Sequence, residues 1–149
     1  MALQAHVTEI THVIQLAIAP VFLLTAVGTM IGVLSNRLAR SVDRIRFLER
    51  ELPQLTGADA QLAHLELHVL SRRMRLVYVA ISLTVLCAIF VSLLIALIFV
   101  DAFLAADLTT MVGILFIAAM VAFIGALLIF LREIFLAIAN TRRVLGKDA

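Results

Sequence analysis

Two stretches without a formal charge, Leu76 to Val100 and Leu108 to Leu131, constrain this chain more than any other feature. They hold twenty-five and twenty-four residues. At about 1.5 Å rise per helical residue, either one crosses a hydrocarbon layer of about 30 Å. A third stretch, Ile10 to Asn36, holds only the titratable His12, and its core from Val13 to Leu34 is long enough to do the same. In lipid each backbone polar group must bond within its own segment, so each stretch reads as a helix. The expected fold class is all-α, an integral membrane protein with three transmembrane helices at about 13–35, 76–100 and 108–131. Composition agrees: 149 residues, 64% of them hydrophobic and 15% charged, leave no room for a large soluble catalytic domain. A single cysteine, Cys87, excludes an intrachain disulfide and any Cys-based metal cluster. The first span is expected to stay attached. Met1 to Gln15 has no Lys or Arg, and the one A-x-A match, Ala17-Ile18-Ala19, lies inside the apolar run just before Pro20.

The basic residues sit in two places, eight between Arg37 and Arg75 and four between Arg132 and Lys147. The link from Asp101 to Asp107 has none and carries two aspartates. Because Lys and Arg accumulate on cytoplasmic flanks, the expected orientation puts the N-terminus and that link outside, and the 36–75 segment and the tail 132–149 in the cytoplasm.

The segment from Arg37 to Arg75 is too patterned for a loop. Leu38, Val42, Ile45, Leu48 and Leu52 recur at spacings of three and four, as do Leu62, Leu65 and Val69, so each half reads as an amphipathic helix. Pro53 removes a backbone donor and Gly57 permits a left-handed stop, which breaks the pattern between them. The reading is a cytoplasmic antiparallel helical hairpin over about 36–75, its arms continuous with spans one and two. Its surface carries Asp43–Arg46 and Arg46–Glu49 at i, i+3, the spacing of helix-surface ion pairs. After span three, Ile134, Phe135, Ile138 and Leu145 extend a helical pattern past Arg132 and Glu133, an expected interface pair, toward the hairpin. The whole chain is read as one membrane domain.

The run Ile14-Gln-Leu-Ala-Ile-Ala-Pro-Val-Phe-Leu-Leu-Thr25, then Asn36-Arg-Leu-Ala-Arg-Ser-Val-Asp-Arg44, followed by a helix hairpin and two further spans, resembles the bacterial family called domain of unknown function 2721. The resemblance covers nearly the whole chain. It implies a three-helix protein of the bacterial inner membrane and assigns no functional residue.

Span one carries the most informative pattern. Steps of three and four from Thr8 pass through Thr11, Gln15, Ile18, Phe22, Thr25, Thr29, Gly32 and Asn36, all within a sector of about 120° on an ideal helix. The pattern has two readings. In one, several copies place this face around a shared axis, with Gln15, Thr25, Thr29, Gly32 and Asn36 lining a path, Ile18 and Phe22 forming a dewetting gate, and Arg37 and Arg40 at the cytoplasmic mouth. Three narrow spans enclose no path alone, so this reading requires a homo-oligomer, and the arginines favour anions. In the other, the threonines bond their own i−4 carbonyls and Gly28-x-x-x-Gly32 lets two backbones pack closely. Pro20 frees the carbonyl of Leu16 and introduces either a static bend or a hinge for the gate.

The remaining signals are weaker. Gly113, Ala118, Ala122, Gly125 and Ala126 read as a packing surface in span three, and Cys87 as a small apolar filler. His64 and His68 lie one turn apart but lack a third ligand on their face; His6, Glu9 and His12 make an i, i+3, i+6 set at the outer end of helix one. No metal and no cofactor is expected. None of the spans holds a carboxylate beside a nucleophile, and Walker, Rossmann and HExxH motifs are absent, so no enzyme is expected. The expected partners are membrane lipid and further copies of the chain, with no nucleic acid. The leading expectation is a homo-oligomeric pore or ion channel, anion-favouring, lined by the first span. The alternative is a non-conducting membrane scaffold whose hairpin binds a partner protein.

Overall fold

The computed structural model describes residues 2–104 and 107–145, with side chains placed for Thr11, 14–104 and 107–136. Three long helices account for nearly all of this: α1 (Ala2–Glu51), α2 (Ala58–Leu104) and α3 (Thr109–Leu145). Their 50, 47 and 37 residues correspond to about 75, 70 and 55 Å, far more than the ~30 Å a bilayer core requires. Each contains a segment apolar enough to span a membrane, and the chain is a three-helix membrane protein. The expected spans and hairpin arms are therefore single continuous helices. Pro20 sits inside α1 without ending it.

The break falls where Pro53 and Gly57 require it. A short 3-10 helix, Leu52–Gln54, carries the chain out of α1, and its last carbonyl contact is Leu55 N–H donating to the Leu52 C=O at 3.2 Å. Gly57 then adopts φ +64°, a left-handed conformation that costs any residue with a Cβ, before α2 starts. At the other connection, Asp101, inside the last turn of α2, accepts the Leu108 N–H at 2.9 Å through Oδ1. That bond satisfies a free donor at the start of α3.

The chain divides into two compact units. The first is Met1–Ile31 with Leu83–Ile124. Its core is Val27, Cys87, Val91, Ala119 and Ala122, flanked by Leu23, Leu24, Ile31 and Phe123. Lipid tails are as apolar as these side chains, so the association is a matter of close contact, which alanine permits by letting α3 approach. Cys87 is fully buried there, the apolar filler it was expected to be. Gly113, by contrast, is exposed and its missing Cβ would meet nothing within 4 Å.

The second unit is Gly32–Ser82 with Gly125–Ala149. Its buried residues include Leu34, Leu48, Ala63, Val77, Ala80 and Ala126. The first arm packs with the expected phase: Leu48 is buried and Leu38, Val42, Ile45 and Leu52 are half-buried. The second arm does not. Leu62, Leu65 and Val69 are exposed, Leu62 and Leu65 at 63% and 64%, and the inward face is instead Ala63, Leu67, Leu70, Met74 and Val77. Two apolar rows lie side by side on this arm, and the row that ends in the small Ala63 admits the other arm more closely. The ion pairs also differ from expectation. Among the described residues they join different helices, Arg44–Glu66, Arg37–Glu133 and Arg73–Glu133, and neither Asp43–Arg46 nor Arg46–Glu49 forms. Arg44 and Arg37 reach a carboxylate on another helix, whereas the two i, i+3 pairs would hold long, fully hydrated side chains for little gain.

Candidate functional site

Around α1 the buried and polar positions separate cleanly. Within the first unit Ala17, Pro20 and Val27 are buried, whereas Gln15, Ile18, Phe22, Thr25 and Thr29 are exposed, Phe22 at 72%. At about 100° per residue Thr29 lies roughly 160° from Val27, so the polar face points away from the seam within the chain. Pro20 belongs to that seam and not to the exposed face. In the second unit α1 again leaves Gly32 and Asn36 exposed and Leu34 buried. The hydroxyls are satisfied within the helix: Thr25 Oγ1 donates to the Val21 C=O at 3.3 Å, and Thr29 Oγ1 donates to the Thr25 C=O at 3.1 Å. Such back-bonding removes the free donor while leaving oxygen lone pairs on the outer face. A Cβ added at Gly28 or Gly32 would touch nothing within 4 Å, so the G-x-x-x-G surface is open.

A second assembly of polar groups gathers around Glu133 in the second unit. Glu133 is buried, its side chain 6% exposed, and each of its oxygens accepts from a different guanidinium. Arg37 Nη1 lies 2.8 Å from Oε2 and Arg73 Nη2 lies 2.7 Å from Oε1, so one carboxylate clasps α1, α2 and α3 of this unit. Arg132, its sequence neighbour, is exposed and takes no part. Arg37 also stacks on Phe130, its guanidinium carbon 4.9 Å from the ring centroid, which holds the cation over an apolar surface. Ser41 Oγ donates to the Arg37 C=O at 3.1 Å. One turn further, Arg44 makes a two-pronged pair with Glu66, at 2.9 and 3.2 Å. That hydrogen bond with Glu66 holds the Arg44 guanidinium above its ordinary pKa, against the opposing effect of burial. Arg37, Arg40, Arg44 and Arg73 open onto a cavity of about 210 Å³ beside Glu133.

A sequence signal for Glu133 did exist. Ala119, Ala122 and Ala126 recur at three and four, and Glu133 follows Ala126 at seven, in phase with the small residues that face inward. A carboxylate on the buried row has to meet a cation there.

His64 and His68 are both exposed, and no group of three or more metal-ligating side chains occurs among the described residues. The side chains of His6, Glu9, His12, Ile138 and Leu145 lie outside the described residues. The larger cavity, about 500 Å³ in the first unit, is an open groove lined by Val85, Ile89 and Leu93, with Ser92 its one hydroxyl. It offers no polar path.

No curated protein and no solved structure matches this chain. A family model does: the one described as "Protein of unknown function (DUF2721)" matches residues 17–143, and the chain belongs to that family.

Proposed function

We propose that this membrane protein is a homo-oligomeric pore, favouring anions, in which copies gather the exposed face of α1 around a shared axis. It is not an enzyme and uses no cofactor. The observation that supports this most is the separation on α1: Gln15, Thr25 and Thr29 are exposed on the side opposite Val27, where a single copy has nothing to cover them. The Gln15 amide is better placed against water or a second polar face than against lipid tails, and the threonine hydroxyls, bonded to their own helix, still offer lone pairs to such a face. In this reading Gln15, Thr25, Thr29, Gly32 and Asn36 line the path, Ile18 and Phe22 form its constriction, and the seam-side Pro20 is the hinge. Arg40 lies toward the cytoplasmic mouth, and Arg37 flanks it with its charge held on Glu133 of the same copy. The asymmetry of Arg and Lys supports an orientation with the N-terminus outside and the C-terminus in the cytoplasm, and the bacterial inner membrane is what the family resemblance implies.

Two measurements test the proposal. Thr29→Cys in a Cys87→Ala background should cross-link between copies in the membrane, and the wild-type chain in liposomes should carry an ion flux that Phe22→Ala raises and Thr29→Lys changes. Unchanged bilayer leak with both variants overturns the pore.

The second reading is a non-conducting scaffold whose hairpin binds a partner protein. What favours it is the outward row Leu62, Leu65 and Val69, apolar and uncovered in the second unit. Charged substitutions along that row should then release a co-purifying protein without altering any flux.

A further inference from the structure

We propose that the arginine-lined cavity of the second unit binds a phosphoryl group. Arg37, Arg40, Ser41, Arg44 and Arg73 line it, and Glu133 is the one carboxylate among its walls. Four guanidinium charges therefore face one carboxylate; Glu66 neutralises Arg44 from outside the lining, and the cavity still carries an excess of about two positive charges. Donors are also in excess. Arg73 Nε is buried and has no hydrogen-bond partner among the described residues, although the Nη2 of the same guanidinium is held on Glu133. Among the described residues Arg40 has neither an ion pair nor a hydrogen bond. A buried N–H normally finds an acceptor, and a planar guanidinium fork matches the oxygens of a phosphate.

Size and place narrow the ligand. About 210 Å³ is below the ~300–1,000 Å³ of sites that take drug-sized molecules, and suits a small tetrahedral oxyanion with a short stem. Arg37 directly follows the charge-free run that ends at Asn36, Arg73 precedes the one that starts at Leu76, and Glu133 follows the one that ends at Leu131. These residues thus sit where apolar helix gives way to charge, the depth of lipid headgroups, where basic pockets between helices hold anionic phospholipids. The shared chemistry is a phosphate ester or free phosphate, whose sources are a phospholipid headgroup and dissolved phosphate. Arg37 and Arg40 also stand at the mouth of the proposed pore, but the pocket's test reads ligand binding and no flux, so the two proposals fail separately.

The test is thermal unfolding of the full chain. One arm titrates inorganic phosphate into neutral-detergent micelles, against chloride at equal ionic strength. The other adds phosphatidylglycerol to the same phosphate-free micelles, against a neutral diacylglycerol that lacks the phosphate. Stabilisation by ligand gives the apparent affinity. Two variants probe the site, Arg40→Gln, which removes an exposed side chain without a protein partner, and Arg73→Lys, which keeps the charge but removes Nε. Each should weaken the apparent affinity about tenfold, the loss of one charge-assisted contact. Saturable stabilisation by phosphate assigns the site to a dissolved anion, and stabilisation by phosphatidylglycerol alone assigns it to a headgroup. Both support the proposal when the variants weaken it. No effect beyond the chloride and diacylglycerol controls, or variants that respond as wild type does, overturns it.

Discussion

Replacing Glu133 with glutamine should destabilise the protein by about 2–4 kcal/mol. The carboxylate accepts two short charge-assisted bonds, at 2.8 and 2.7 Å, from a side chain that is 6% exposed. Each such bond contributes about 1.5–3 kcal/mol, so their sum is an upper bound of about 3–6 kcal/mol. The loss is smaller because the Arg37 and Arg73 side chains are 33% and 28% exposed and can swing partly toward water when released. Glutamine keeps the shape and one acceptor, but its amide turns N–H groups toward one of the two cations, leaving it buried beside a donor. Reversible unfolding in mixed micelles, followed by loss of helical circular dichroism, measures the change. A double-mutant cycle with Arg73→Gln should give a coupling of at least about 1 kcal/mol, since these residues touch. A loss under about 0.5 kcal/mol, with no coupling, would mean that the clasp contributes nothing and that the reasoning from its geometry is wrong.

Three further outcomes follow from the fold. Gly32→Ala should leave the folded protomer unchanged or about 0.5–1 kcal/mol more stable, because no neighbour meets its Cβ, while weakening self-association in a cross-linking assay where copies meet on this face. Asp101→Ala should cost about 0.5–2 kcal/mol by removing the acceptor of the Leu108 N–H, with hydrogen exchange rising first at the start of α3. Gly57→Ala should cost about 1–2 kcal/mol in the same unfolding assay, since alanine has to occupy φ +64°.

Local features of the chain are legible in its sequence. Three charge-free runs leave the backbone no solvent but itself, so helices follow from the sequence alone, and Pro53 with Gly57 ends one and permits the next. The polar row on α1 was also readable, because residues three and four apart share a face wherever the helix is placed. Which of two adjacent rows turns inward was another matter. On the second arm, Leu62, Leu65 and Val69 match a helical period as well as Ala63, Leu67 and Leu70 do, and only packing against the facing arm selects the row with the smaller side chain. Glu133 depended on tertiary structure most of all. Its two partners stand 96 and 60 positions away, and periodicity carries no information about which distant cations a buried carboxylate will meet. Pattern along one helix assigns a side chain to a direction. Only the neighbouring helices decide what waits there, because burial and ion pairing are properties of groups brought together from separate parts of the chain.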